Sequence, residues 1–136
     1  MDFEKLAAFR NRENLFSQKL GIVVTEIGPG YARATKTFQP DDRNPAGLPH
    51  GGAYFTLADT ASASAAASCG YHTVTVSSSY HFLRSAKIGD TVTAEARQVH
   101  SGKSISVYDV QLTTQDGVLV GTACFTFYVL DRKIEL

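Results

Sequence analysis

An α+β fold, with one antiparallel sheet and a single long helix buried against its inner face, is what this sequence predicts. Three observations carry the expectation. Between Arg43 and Arg84 the only formally charged residue is Asp59, set in an Ala/Ser-rich run from Gly52 to Ser68 that reads as a buried helix. After that run, His72–Leu83, Asp90–His100, Lys103–Thr114 and Val118–Leu130 are rich in Val, Thr, Tyr and Phe, the residues that suit a pleated surface. Before it, Ile22–Ile27 and Tyr31–Phe38 flank Gly28-Pro29-Gly30, the pattern of a hairpin. One sheet packed on one helix satisfies this order of elements. With 136 residues the chain is expected to form a single domain over 1–136.

Taken in order, residues 3–19 place Phe3, Leu6, Ala7, Leu15 and Phe16 at helical spacing with Glu4, Lys5, Arg10, Arg12 and Glu13 between them. That predicts an amphipathic N-terminal helix ending near Gly21. The hairpin follows, then a Pro/Asp/Asn/Gly loop over residues 39–50, too long for a simple turn and of the kind that carries function. The charge-poor helix is expected from about Gly51 to Cys69, stopped by Gly70. The last four strands read as a meander, with Ser101-Gly102 and Asp116-Gly117 as hairpin turns. The segment Thr91–Arg97 alternates and has one wet face, whereas Val118–Leu130 is nearly continuous and is expected to be central in the sheet.

Composition excludes several classes. The net charge is zero, so no basic excess points to nucleic acid or to an anionic membrane surface. The run from Ala53 to Cys69 is too polar and too short to span a bilayer. Cys69 and Cys124 read as small core residues, too few for a disulfide framework, and fit a reducing, cytoplasmic setting. His50, His72, His81 and His100 lack metal-ligand spacing, so no metal is expected. No Lys-Ser/Thr follows Gly28-Pro-Gly30, and no serine sits in a nucleophile elbow.

The chemistry-bearing residues lie on and around the helix. His50-Gly51-Gly52 opens it, and free N–H groups at a helix N-terminus stabilise negative charge while glycine lets a substrate carbonyl approach the backbone. A sharp loop-to-helix entry with no ligand gives the same pattern. Asp59 is a carboxylate in apolar surroundings, costly unless hydrogen-bonded or altered in protonation. It is retained either for a polar network with neighbouring Ser and Thr or for chemistry. At ~1.5 Å rise per residue, Gly51 and Asp59 are about 12 Å apart along the axis. One helix does not deliver both groups to one reacting carbon; a second, antiparallel copy does. A twofold dimer with two shared sites follows if both residues act on one substrate. The strand Thr73–His81 adds hydroxyls that either orient the carboxylate or a water, or simply face the helix.

Asn44-Pro-Ala-Gly-Leu-Pro-His50-Gly51-Gly52, Leu57-Ala-Asp59-Thr, Phe82-Leu-Arg84 and His100-Ser-Gly-Lys103 occur in this order. The series resembles the hotdog-fold acyl-CoA thioesterases of the PaaI (phenylacetate degradation) type, over about Leu20 to Leu130. The resemblance implies a curved antiparallel sheet wrapped around one long central helix, homodimers paired through their sheets, and homotetramers of such pairs. It implies that the Gly51 N–H polarises a thioester carbonyl with help from Asn44, and that the partner's Asp59 acts as base or nucleophile with Thr75 orienting water. It also implies that His50, Gly52, Phe82, Arg84, His100 and Lys103 contact substrate or its CoA portion, with no cofactor beyond the CoA of the substrate. Ser85 stands where a proline is common, and His81 where an acid or amide is common.

The reading is therefore a cytoplasmic hydrolase acting on aromatic (phenylacetyl- or benzoyl-type) or medium-chain acyl-CoA, with acyl-CoA as its partner and neither nucleic acid nor membrane. The alternatives are a non-catalytic acyl-CoA-binding protein of the same fold, and an acyl-thioester hydratase or dehydratase, for which His50 is the one histidine near the helix.

Overall fold

The computed structural model describes Met1 to Leu136. Helix α1 (Phe3–Glu13) starts at Asp2, whose carboxylate accepts the Lys5 N–H at 3.1 Å. The expected single N-terminal helix is in fact two, because Asn14 leaves helical geometry. Its N–H closes α1 on the Arg10 carbonyl, and its side chain accepts the Ser17 N–H at 3.1 Å to start α2 (Leu15–Lys19). Asparagine competes for backbone groups in this way and favours caps over helix interiors. The break turns Leu15 and Phe16 out to solvent, at 65% and 62% exposure, against their expected place on the buried stripe. Ser17 turns inward instead and meets Thr60 at 2.7 Å.

Strands β1 (Val23–Gly28) and β2 (Tyr31–Thr37) form the expected hairpin. After the 39–50 loop, α3 (Gly51–Ala67) runs 17 residues and touches all six strands of the sheet. This is the wrapped-helix hotdog arrangement. Alanines on both sides permit it: Ala32, Ala34, Ala94 and Ala96 of the sheet and Ala58, Ala61 and Ala65 of α3 are all fully buried. No helix is long and apolar enough to cross a membrane.

The remaining strands are β3 (Tyr71–Phe82), β4 (Thr91–Ser101), β5 (Ile105–Thr114) and β6 (Leu119–Lys133), in the antiparallel order β1-β2-β4-β5-β6-β3. Only β4, β5 and β6 form a meander. The helix carries the chain across the inner face, so β3 lands at the far edge beside β6, and Leu83–Asp90 returns it to β2. That return is fastened at both ends, by Leu83 N–H to the Val120 carbonyl (3.0 Å) and by Gly89 N–H to the Phe38 carbonyl (2.8 Å). Strand β6 is interior, paired on both sides, while β4 and β5 hold the centre. Its apolar run is an alternation after all: Val120, Ala123, Phe125 and Phe127 are buried, with Thr122, Cys124 and Thr126 between them.

Strand β3 carries a bulge between Thr75 and Ser77. The extra residue flips the alternation, so odd-numbered Thr75 reaches α3 while even-numbered Tyr80 and Phe82 pack with Tyr54 on the same side.

Candidate active site

The start of α3 leaves one amide unpaired. His50 is its N-cap, with Nδ1 accepting the Gly52 N–H at 2.8 Å, and the Ala53 N–H returns to the His50 carbonyl at 3.0 Å. The Gly51 N–H between them has no acceptor in the chain. A Cβ on Gly51 would lie 3.2 Å from the Phe82 ring, so glycine is what lets the aromatic close over the helix start. Asn44 faces the same place. Its Oδ1 accepts the N–H groups of Ala46 (2.9 Å) and Leu48 (3.1 Å), which fixes the amide and leaves its NH₂ as a free donor. Asn44, Pro49, Gly51, Tyr54, Phe82 and Arg84 share one open cavity of about 370 Å³. Two unpaired N–H donors and the positive end of a 17-residue helix therefore converge on it.

Asp59 sits two turns further along. After the first residue, Gly51, α3 is buried except for one stripe at three- and four-residue spacing: Gly52, Phe55, Thr56, Asp59 and Ala63 are partly or fully exposed. The Thr75 hydroxyl donates to Asp59 Oδ1 at 3.3 Å. Burial pushes the Asp59 carboxyl above its ordinary value, against the downward pull of the Thr75 hydrogen bond and of the Arg10 charge.

Arg10 was not legible as part of this neighbourhood, because the helical pattern placed it among the solvated residues of α1. It lies four residues after Leu6, on the same face, and its Nε donates to Ser64 at 3.2 Å. Burial lowers the guanidinium's pKa and the Asp59 charge raises it. A charged residue on an otherwise apolar helix stripe was the signal available in the sequence.

One copy of the chain does not unite these groups. Gly51 and Asp59 are ~12 Å apart on the helix. Their neighbours on β3, Phe82 and Thr75, are seven residues apart, about 23 Å along a strand. The residues expected at CoA divide likewise. His50, Gly52, Phe82 and Arg84 lie at the helix start, whereas His100 and Lys103 sit at the β4–β5 turn. Lys103 lines a second cavity there, of about 640 Å³, with Cys69, Tyr71, Ser106 and Tyr128. Cys69 is exposed in that wall, not a core residue, because α3 ends at Ala67; Cys124 is half-buried on the outer face. His81 also points to the outer face, beside Asp109 and Gln111, away from the aromatic cluster of Tyr54, Tyr80 and Phe82.

Comparison with known proteins fits this geometry. The family model described as the thioesterase superfamily matches residues 46–121, a span containing the helix start, Asp59 and Thr75. The chain is 38% identical over 99 residues to the acyl-coenzyme A thioesterase PaaI of Escherichia coli K12, covering 73% of this chain and 71% of the relative. The solved E. coli PaaI protein from the phenylacetic acid degradation operon superposes with a TM-score of 0.86 at 31% identity, over 95% of this chain and 97% of that one. A hypothetical thioesterase of Streptococcus pneumoniae TIGR4, solved with coenzyme A, gives a TM-score of 0.79 at 32% identity, over 83% and 91%. That protein has also been solved as an aspartate-to-alanine and as a threonine-to-alanine mutant, at positions sixteen residues apart, the separation of Asp59 and Thr75. Matched by the family model over more than half its length and by a thioesterase at 38% identity, the chain belongs to the thioesterase superfamily.

Proposed function

We propose that this chain hydrolyses acyl-CoA thioesters at sites shared between two copies, with the Gly51 N–H and the Asn44 amide of one copy binding the carbonyl oxygen and the partner's Asp59 supplying the base or nucleophile. The observation that carries it is the pair of unpaired donors facing one cavity, Asn44 on the preceding loop and Gly51 at the start of the helix whose half-buried Asp59 carboxylate they do not reach. Donors of this kind stabilise the oxyanion of the tetrahedral intermediate, a contribution of roughly 3–4 kcal/mol each where measured by deletion. With Asp59 as base, its carboxylate takes a proton from water as the oxygen attacks the carbonyl carbon. The intermediate then collapses with loss of CoA thiolate, which is protonated to the thiol. With Asp59 as nucleophile, the carboxylate adds to the carbonyl carbon, the C–S bond breaks to release CoA thiolate and leave a mixed anhydride, and water opens that anhydride to the free acid and the Asp59 carboxylate. Thr75 holds the carboxylate in either case.

Two features support the dimer. The uncovered α3 stripe contains Asp59. Strand β3 is a 12-residue open edge with Val74 and Val76 about half exposed and no proline or lysine to block pairing. Antiparallel pairing of two β3 edges about a twofold axis near Ser78 and Ser79 sets Thr75 opposite the partner's Phe82. It also carries each Lys103-lined cavity toward the partner's Arg84, so the divided CoA residues rejoin. The Tyr54–Tyr80–Phe82 cluster favours an aromatic or medium-chain acyl group. The hydratase alternative asks His50 to act as an acid or base, but its Nδ1 is committed to the Gly52 N–H.

Thiol release from phenylacetyl-, benzoyl- and medium-chain fatty acyl-CoA tests the proposal, read beside hydration of an enoyl-CoA. Saturable thiol release is expected. Binding of acyl-CoA without thiol release, or hydration alone, contradicts it.

A further inference from the structure

On β2 the residues facing the core run Ala32, Ala34, Lys36. Two alanines make room for α3, and the third position is an ammonium 2% exposed, the one lysine inside the molecule. Its Nζ meets Asp42 Oδ2 at 2.9 Å, donates to the Leu20 carbonyl and lies 5.5 Å above the Phe38 ring. Asp42 is 10% exposed and is a junction in the 39–50 loop. Its carboxylate accepts the Gln39 N–H at 2.7 Å, and its carbonyl accepts the His50 N–H at 2.8 Å. His50 immediately precedes Gly51. Inside this closure, Arg43 pairs with Pro49 and the Asn44 N–H reaches the Leu48 carbonyl at 2.7 Å. Asn44 thus stands on a loop whose base is Asp42 and Gly51 directly follows the residue that closes it, and Asp42 is fastened to the sheet by Lys36.

Burying an ion pair returns little net stability, since desolvation offsets the attraction, while removing one partner is costly. An apolar residue at Lys36 would fill the core row as well. What it would not do is fix the loop to within the fraction of an ångström that oxyanion donors require.

We propose that Lys36 and Asp42 are positioning residues, a strut that holds Asn44 and Gly51 at the geometry of the transition state. The proposal rests on the thioesterase reading of the helix start. Lys36→Met and Asp42→Asn test it in the full-length oligomer, the second being isosteric and serving alone if the first does not fold. Each is expected to lower kcat about tenfold or more with KM within about twofold, because the donors bind the oxyanion more tightly than the ground-state carbonyl. Amide hydrogen exchange is expected to quicken about tenfold at His50–Ala53 while Ala58–Ala66 is unchanged. A folded variant with kcat within about twofold of the parent and unchanged exchange at His50–Ala53 overturns the strut, as does exchange that quickens equally along all of α3 and the sheet. A parent that hydrolyses no acyl-CoA overturns the thioesterase reading, and exchange at His50–Ala53 then decides the strut on its own.

Discussion

Replacing Asn44 by aspartate separates the two tasks of that side chain. In the parent, Oδ1 holds the loop through the Ala46 and Leu48 amides, at 2.9 and 3.1 Å, and the NH₂ is the free donor. A carboxylate keeps both loop bonds and makes them charge-assisted. It also stands near the positive end of α3, a placement worth roughly 0.3–1 kcal/mol to an acid. The fold should therefore hold or gain slightly. The reaction should suffer twice, since a donor is lost and a negative charge faces the developing oxyanion. Loss of one such donor costs about 10²–10³ in kcat, or ~2.7–4 kcal/mol. The comparator is Asn44→Ala, which removes the donor and both loop bonds, at about 0.5–1.5 kcal/mol per bond and toward the low end in so open a loop. Thiol-release kinetics beside thermal unfolding distinguish them: the aspartate variant should lose kcat without losing Tm, and the alanine variant should lose both. Asn44→Asp with kcat within about threefold of the parent would refute the assignment of Asn44 as a donor.

Further expectations bear on Asp59 and on packing. Asp59→Asn should fold and lose about 10²–10⁴ in kcat, as removal of a general base does. Burial raises the Asp59 pKa from its ordinary value, so the acid limb of kcat should lie at higher pH than an exposed aspartate would give. Thr75→Val and Arg10→Met each remove an influence that holds that pKa down, so both should move the limb to higher pH, and an unmoved limb contradicts the coupling. For stability the sign reverses: with the folded pKa above the unfolded one, Asp59 supports the fold below the unfolded value and this support is lost as pH rises through the folded value. Asp59→Asn should accordingly be more stable than the parent at pH 7 in chemical denaturation. The Tyr80 hydroxyl is buried without a partner, so Tyr80→Phe should stabilise by about 1 kcal/mol. Gly121→Ala puts a Cβ into the space held by that hydroxyl and should destabilise by roughly 1–3 kcal/mol, less in a Tyr80→Phe background. Val76→Asp places a charge on the open β3 edge and should give monomers by light scattering, with hydrolysis lost alongside.

The helix, its glycine entry and its single carboxylate were legible because each breaks a local pattern. Asp59 is a charge where none is otherwise found, and Gly51 is a glycine where a helix begins. The expectation of a second copy, if Gly51 and Asp59 act on one substrate, comes from the helical rise. What was not legible depends on long-range partners. Asn14 splits the first helix because its side chain and N–H find acceptors and donors on both sides, a choice that apolar spacing does not register. The crossover of β3 to the far edge depends on where α3 exits, so strand order could not be taken from chain order. Arg10 is placed by the helical spacing among the polar residues of an amphipathic helix, and nothing in Tyr31–Phe38 singles out Lys36 as an inward charge. Each is buried because a partner distant in sequence, Ser64 for Arg10 and Asp42 for Lys36, closes over it.

The most direct test of the shared site uses two inactive variants. In a hybrid of an Asn44→Asp copy with an Asp59→Asn copy, sites built across the twofold divide unequally: one carries both lesions and the other carries none. Random subunit exchange should then restore about a quarter of the parent's thiol-release activity, since half the dimers are hybrids with one intact site of two. Confirmed hybrids with no activity above either variant alone would place Asn44 and Asp59 of the same copy in one site, and would contradict the account.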